Sequence, residues 1–506
     1  MVKYNTKELT ATEKITTENL AGGQAFKLSP ENELAQLLMT SFFSGNDNYY
    51  ETDAARQKRF IEILDACPPE FAAKAAIYSR DKYGMRTSSH MAAVSLAAKE
   101  FPNKEGFFRN VIVRPDDMLE ITSGILSAAN GGKGKIPNAV KRAFASNLSK
   151  LSAYHLAKYK NSGKKVNMFD LINLTHPKST PAINDFMNGK GIVPETYETK
   201  LSAAGNVAEN LSEEDKALAK SENKAQAWTD LIQAGKLGYM ALVKNLRNIF
   251  EQATEGTKRL ALEQLVDEER IKGSRILPFR FLTAYNEVGA MDSRLSTAIS
   301  KAFDIACKAN VTNVTGDTLI VVDTSGSMAS LNSRASVPNE YLGYALAGAL
   351  GKAIDPLEKV DLMIFGTTAK YIPLDRGASG LTNALNMATK YSGAVGHGTN
   401  FEAIFQAINK PYKRIVILSD MQGWVGYSAP TAPFRAYCER HKCSPVVYSW
   451  DLAGYGTTQL PTGNANKVVP ISGWMGDKVF ELIDMIENNK AASLVEEINK
   501  IDLTRK

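Results

Sequence analysis

The stretch Leu319-Ile320-Val321-Val322-Asp323-Thr324-Ser325-Gly326-Ser327-Met328 runs an apolar strand directly into an Asp-x-Ser-x-Ser turn. That join constrains the chain more than any other feature. The turn offers one carboxylate and two hydroxyls close enough in sequence to face a single divalent cation. A hard cation such as Mg²⁺ requires about six oxygens in near-octahedral array, so a single loop seldom supplies them all and further donors are expected downstream.

Two segments fit. Gly396-His397-Gly398-Thr399-Asn400 carries a hydroxyl in a glycine-loosened loop, and Arg414-Ile415-Val416-Ile417-Leu418-Ser419-Asp420 is a second apolar strand ending on a carboxylate. Parallel strands of an open α/β sheet bring their C-terminal ends to one edge, where ligands bind at the reversal of strand order. Further strands are expected at Val360–Phe365, Ser444–Trp450 and Lys467–Ile471, alternating with helices at Glu340–Ile354 and Asp477–Asn488. That alternation predicts a doubly wound sheet. The pattern resembles a von Willebrand factor A domain over about residues 316 to 490, and Asp323, Ser325, Ser327, Thr399 and Asp420 match its metal-ion-dependent adhesion site. The resemblance implies a bound cation, Mg²⁺ above all, that keeps a coordination position for an acidic group of a partner. In one departure, Asp420 is followed by Met421-Gln422-Gly423, where many members of that family place glycine at once.

At 506 residues the chain is too long for one hydrophobic core, and 44% apolar content is that of a soluble globular protein. No apolar run approaches the roughly 20 residues that span a bilayer. The polar, mixed-charge segment Met1–Leu20 is unlike a signal peptide, so a cytoplasmic location with no membrane partner is expected. The four cysteines should then be reduced. Cys438-x-x-His441-x-Cys443 lacks a fourth zinc ligand and reads better as small core cysteines.

Before residue 316 the signals are helical throughout, with apolar residues three or four apart in Leu34–Phe43, Phe60–Leu64 and Ala225–Phe250 and no strand alternation. Paired helices stacked as a HEAT-like α-helical repeat are expected, giving a helical domain at 1–315 and an A-like domain at 316–506. The net charge of +6 belongs to the helical part, because residues 316–506 hold 18 basic and 18 acidic side chains. Ten basic residues fall between 121 and 178 against the single acid Asp170: Lys133, Lys135, Lys141, Arg142, Lys150, Lys158, Lys160, Lys164, Lys165 and Lys178. Lys158 and Lys160 at the C-terminus of a short helix would explain two or three of them. A phosphate-binding surface explains the rest. Of the interleaved rings, Phe144 and Tyr154 fall at helical spacing and are expected in the core; Tyr159, His155 and His176 are candidates for stacking on bases. Gly131-Gly132-Lys133-Gly134-Lys135 reads as a flexible basic turn.

Ala157-Lys158-Tyr159-Lys160, followed by Asp170-Leu171-Ile172-Asn173-Leu174-Thr175-His176-Pro177-Lys178, resembles the RNA-binding module of the Ro autoantigen family, known as the TROVE module. Gly45–Tyr50, Ala241–Arg247 and Arg275–Arg280 add to the likeness, and the order of domains agrees with a bacterial-type Ro protein. The resemblance implies a monomeric, non-catalytic ring of helical repeats closed by the A domain. It implies that Y RNA binds the outer basic face, that single-stranded ends of misfolded RNA enter a central hole, and that polynucleotide phosphorylase is tethered through Y RNA. RNA quality control and stress-related RNA processing are the corresponding roles. Carried over residue by residue, it favours Lys158, Lys160, His176 and Lys178 as RNA contacts; charge alone adds Lys141, Arg142, Lys164 and Lys165. Glu195–Asn223 matches poorly and reads as an acidic loop or rim.

Other functions fit less well. A protein-interaction scaffold that clasps an acidic side chain through Mg²⁺ is compatible with the metal motif. A two-metal nuclease is not, because two carboxylates with hydroxyls are a poor holder of two cations and no general base lies near Asp323 in sequence. Gly351-Lys352-Ala353 lacks the glycine spacing of a phosphate-cradling loop.

Overall fold

The computed structural model describes residues 17–504 apart from 129–134, 161–164, 208–211, 309–314, 331–336, 427–429 and 463–466. By packing, the chain divides into two compact units that do not follow its linear order. One gathers Met1–Ser89, Leu277–Thr283 and Ala306–Ile501; the other gathers His90–Ile276, Ala284–Ile305 and Asp502–Lys506.

The first unit is built on a six-stranded sheet. Its order in space is Ala369–Ile372, Val360–Phe365, Thr318–Asp323, Arg414–Ser419, Val446–Asp451 and Val468–Ser472. All neighbours run parallel except the edge strand Ala369–Ile372, which pairs antiparallel with Val360–Phe365. The order reverses between Thr318–Asp323 and Arg414–Ser419, so the switch point lies where Asp323 and Asp420 leave the sheet. Every residue of these two central strands is buried. Leu319 and Val321 face a cluster that includes Phe401, Ile404, Phe405, Phe434 and Tyr437, from the helices Phe401–Ala407 and Thr431–His441. Val322, on the other face, meets the helix Asn339–Ala353: a Cβ placed on Gly343 would lie 3.1 Å from its Cγ1. Each such buried aliphatic contributes about 1.5–3 kcal/mol relative to exposure, which is why an all-apolar strand requires helices on both faces.

The same unit takes in chain from the helical N-terminal part. The helix Pro30–Thr40 packs on the strand Val468–Ser472 and on the helix Leu494–Asn499, and Phe42 stacks on Trp474 with ring centroids 5.0 Å apart. Two short strands, Thr17–Glu18 and Gln24–Lys27, join Thr457–Thr458 in a small antiparallel sheet. They correct the expectation of helix alone before residue 316. At two and four residues they are too short for alternation to register.

The second unit is helical. Lys104–Asn110 packs on Asn138–Leu148, which packs on Met168–Thr175; Ala153–Lys158 packs on Pro181–Met187, and Glu213–Gln233 on Glu255–Leu265. Ala225–Phe250, read as one helical segment, divides into the end of Glu213–Gln233 and the helices Tyr239–Lys244 and Leu246–Gln252. The break falls at Gly235, whose φ of +62° and the bond from Lys236 N–H to Leu231 O (3.0 Å) form a glycine C-cap. Glu195–Asn223 is not a loop. It holds the helix Tyr197–Ala204 and the first turns of Glu213–Gln233, whose opening Glu213, Glu214 and Asp215 sit favourably at the positive end of the helix dipole.

Candidate metal centre and nucleic-acid interface

The five donors singled out in the sequence converge in the first unit. Asp323 ends its strand, and one of its carboxylate oxygens accepts from Ser325 N–H at 2.9 Å while the other accepts from Ser419 Oγ–H at 2.6 Å. The hydroxyls of Ser325 and Ser327 lie 3.3 Å apart. Ser327 also hydrogen-bonds Asp420, whose carboxylate accepts from Gln422 N–H at 3.1 Å.

Backbone bonds tie the three contributing loops together. Gly326 N–H donates to His397 O at 3.0 Å, and Trp424 and Val425 N–H both donate to Thr399 O at 3.1 Å. Asn400 N–H donates to Gly366 O at 2.9 Å, and the Asn400 side chain caps the helix Phe401–Ala407. Gly366 must be glycine for this approach, since a Cβ there would lie 2.2 Å from Gly396 O. The departure after Asp420 has a visible backbone consequence. Met421 adopts φ +60°, the left-handed conformation that glycine takes freely, and is held there with its side chain buried and its sulfur 3.1 Å from Ser449 Oγ.

None of the five donor residues is more than 3% exposed. Burial pushes the Asp323 carboxyl up to about 7, with Asp420 adding to the rise, and burial likewise lifts Asp420. Two acids confined this way repel as anions, and a divalent cation would reverse both penalties. The donor set is all hard oxygen, and Thr399 Oγ1 is buried without a hydrogen-bond partner among the described residues. Both observations fit a cation coordinated by Asp323, Ser325, Ser327, Thr399 and Asp420.

Sequence reasoning missed two neighbours of this centre. Asp451 closes the next strand in the sheet; its Oδ2 is buried without a hydrogen-bond partner among the described residues, and burial pushes the carboxyl up to about 7. Its signal was present, because Val446-Val447-Tyr448-Ser449-Trp450-Asp451 repeats the apolar-run-then-acid pattern. Tyr50, which hydrogen-bonds Ser327, had no signal of its own. Elsewhere in this unit, burial pushes the Cys438 thiol up to about 12 beside Cys443, and a thiol so reluctant to ionise is a poor metal ligand.

In the helical unit, Arg142, Lys158, Lys160, Lys165, His176 and Lys178 are exposed, together with Lys135 and Lys150; Lys141 is half-buried. Lys133, Lys164 and the turn 131–134 lie outside the described residues. Lys158 sits in the last turn of Ala153–Lys158, as the dipole argument expects. Its ammonium lies 5.5 Å from the Tyr154 ring centroid and 5.6 Å from that of Tyr159, and Lys160 lies 5.4 Å from that of Phe169. Arg114, which sequence reasoning did not select, approaches Tyr159 to 5.7 Å and adds a cation to this group. Phe144 is fully buried as expected, but Tyr154 is only half-buried and serves as a platform for Lys158.

Lys178 is brought to the end of Asn138–Leu148 by a bond from Ser149 Oγ to its carbonyl oxygen at 3.3 Å. His176 caps Met168–Thr175 in a left-handed conformation, and His155 bonds the Ser152 hydroxyl at 2.9 Å. Three of the cations are engaged, Arg142 with Glu105 at 2.7 Å, Lys165 with the Ser127 hydroxyl at 2.7 Å and Arg114 with Asp116 at 3.2 Å. Asp170 does not neutralise the group, because its carboxylate is spent in a capping box with Asn167.

The chain is similar to known proteins in sequence and in fold. The TROVE domain matches residues 210–322, a stretch that contains Ala241–Arg247 and Arg275–Arg280 but lies downstream of the basic segment. Telomerase protein component 1 of Mus musculus is 23% identical over 345 residues, covering 53% of this chain and 13% of that protein. Its Rattus norvegicus counterpart is 32% identical over 108 residues, covering 21% of this chain and 4% of that protein. The chain thus spans only a small part of these relatives. The crystal structure of the Deinococcus radiodurans RO (RSR) protein superposes with a TM-score of 0.54 at 16% identity, over 92% of this chain and 100% of that one. It shows the same fold, helical repeats followed by a doubly wound A-like domain. The chain thus carries a TROVE-domain match in its later helices and shares the fold of the Deinococcus radiodurans RO (RSR) protein over nearly its whole length.

Proposed function

We propose that the chain is a non-catalytic RNA-binding protein of Ro type. The observation that carries this reading is the exposed cationic group of the helical unit, in which Lys158 and Arg114 flank Tyr159 and Lys160 lies over Phe169, while the one acid of the segment 121–178 is occupied in a helix cap. Lysine and arginine neutralise phosphates with little preference for sequence, so affinity here is electrostatic and falls steeply with salt. The TROVE-domain match and the likeness to a Ro protein support RNA as the polyanion. The finer reading is a small structured RNA of Y type on Lys141, Arg142, Lys158, Lys160, Lys164, Lys165, His176 and Lys178, with unpaired ends of misfolded RNA as a second ligand and polynucleotide phosphorylase as a protein recruited through the RNA. A monomer acting in cytoplasmic RNA quality control is the corresponding picture.

The cation centre is read as a Mg²⁺ site held by Asp323, Ser325, Ser327, Thr399 and Asp420. The orphaned Thr399 hydroxyl supports it. Mg²⁺ there would neutralise the two acids and join the three loops.

Sequencing the RNA that co-purifies with the full chain, beside the Lys158→Glu/Lys160→Glu/His176→Ala variant at matched ionic strength, tests the proposal. Enrichment of one small structured RNA that the variant loses is the expected result. No RNA above background in either would overturn it and leave a metal-dependent protein scaffold as the better account.

A further inference from the structure

The donors of the cation centre are buried, and a side chain that bonds one of them, Ser327, comes from far away in the sequence. Tyr50 is half-buried, its side chain hydrogen-bonds the Ser327 hydroxyl, and it lies within electrostatic reach of both Asp323 and Asp420. Its ring stands edge-on to that of Tyr455, with centroids 5.6 Å apart and planes at 83°. Tyr455 is itself buried and lies beneath the Arg56 guanidinium, 5.4 Å from its ring centroid.

The segment carrying Tyr50 is firmly anchored. Its neighbour Glu51 accepts from Arg59 Nε at 2.8 Å and Nη2 at 2.9 Å, and from Arg56 Nε at 3.1 Å. The same two arginines donate onward, Arg56 to Ala453 O at 2.6 Å and Arg59 to Gly454 O at 2.8 Å. Asp451 completes the frame, accepting from the N–H groups of Ala453 at 2.8 Å and Gly454 at 2.7 Å. On the outer side, Gly45 N–H donates to Asp53 at 3.0 Å and Asp53 N–H to Asp47 at 2.9 Å. A loop ordered by this many charge-assisted bonds holds its tyrosine in place.

We infer that Tyr50 is the specificity-determining residue of the cation centre: its phenol, held over Ser327 by the anchored strap, occupies the approach by which a carboxylate from another molecule would reach a bound cation. The inference rests on the cation reading above. It makes the centre one that binds its metal behind an in-chain hydroxyl, with acidic side chains of other proteins shut out. The strap therefore argues against the scaffold alternative.

The test uses the full chain as wild type, Tyr50→Phe and Tyr50→Ala, with Asp323→Ala as the cation-site control and Mn²⁺ as the probe. Free Mn²⁺ is followed by electron paramagnetic resonance, and access by water-proton relaxation and acetate titration of the Mn²⁺-loaded protein. Loss of one occluding hydrogen bond is expected to raise acetate affinity by about tenfold in Tyr50→Ala, with a parallel rise in relaxation. Tyr50→Phe keeps the ring on Tyr455 and should show the same change in smaller measure, which preserves the test if the alanine variant misfolds. Mn²⁺ bound only once Tyr50 is cut back would also support occlusion. Equal acetate affinity and relaxation in all three Mn²⁺-binding proteins would overturn the inference while leaving the cation reading intact. Mn²⁺ bound by none of them would overturn both.

Discussion

Neutralising Lys158 and Lys160 gives the sharpest test of the proposed RNA face, because phosphate contact makes a quantitative demand that structural damage does not. In Lys158→Gln/Lys160→Gln two exposed ammonium groups are lost while most of each side-chain stem remains. If each neutralises one phosphate of a duplex stem, the slope of log K against log salt falls by about 1.8, at about 0.9 per contact. Counterion release gains nothing near 1 M salt, so the variant should bind about 60-fold more weakly at 0.1 M but only about three- to fourfold more weakly at 0.5 M. The same lysines lie over Tyr154, Tyr159 and Phe169, and losing those contacts costs about 0.5–1 kcal/mol each at exposed positions. That cost acts on folding and leaves the salt slope unchanged. The assay is a filter-binding or anisotropy titration of a fluorescent RNA stem-loop at several salt concentrations, with melting curves run alongside. A wild-type-to-variant ratio that stays constant with salt would refute phosphate contact at these positions, and equal affinity at every salt would remove them from the interface altogether.

Other consequences concern the sheet and the centre it carries. Mg²⁺ at about 100 times its dissociation constant should stabilise the native chain by about 2.7 kcal/mol, a gain absent in Asp323→Ala; that variant should bind RNA with unchanged affinity, as melting and titration together would show. Gly366→Ala drives a methyl into Gly396 O and should displace the loop holding Thr399, abolishing the Mg²⁺-dependent rise in melting temperature. Arg414 is fully buried and ion-paired with Glu487, so Arg414→Ala should cost about 3–5 kcal/mol in denaturant unfolding by stranding the partner carboxylate. Met421→Gly should relieve about 1–2 kcal/mol of left-handed strain yet lose about 2–5 kcal/mol of buried side chain, for a net loss of stability in the same measurement.

The convergence of the five donors of the candidate cation centre was legible because its chemistry is local at each of its three corners. Asp323 and Asp420 end apolar runs, and a buried parallel strand must be apolar along its whole length, so the acid at its end stands out. Thr399 was found by the glycines around it, which the structure uses to bring backbone close to backbone at Gly366 and Gly396. Strand limits differed by a residue or two, as at Ser444–Trp450 against Val446–Asp451, because hydrogen bonding rather than hydropathy decides where pairing begins.

What the sequence did not disclose depends on contacts between distant residues. Tyr50 reaches Ser327 only because Glu51 is clamped by Arg56 and Arg59, which are themselves bound to carbonyls at 453 and 454, almost 400 positions away. Each member of that network looks, on its own, like an ordinary charged residue of an amphipathic helix or loop. Arg56 and Glu51 are nonetheless almost completely buried, with side chains 2% and 7% exposed. Burial of a guanidinium at that level is tolerable only when several acceptors converge on it, so the network must assemble as a whole or not at all. Arg114 was missed for a related reason: it lies outside the basic segment in sequence, and only packing places it over the ring of Tyr159. Composition thus located the cationic segment, whereas the set of side chains that acts together was fixed by tertiary contacts. The same holds at the cation centre, where motif spacing names the donors and a strap from the opposite end of the chain governs what reaches them.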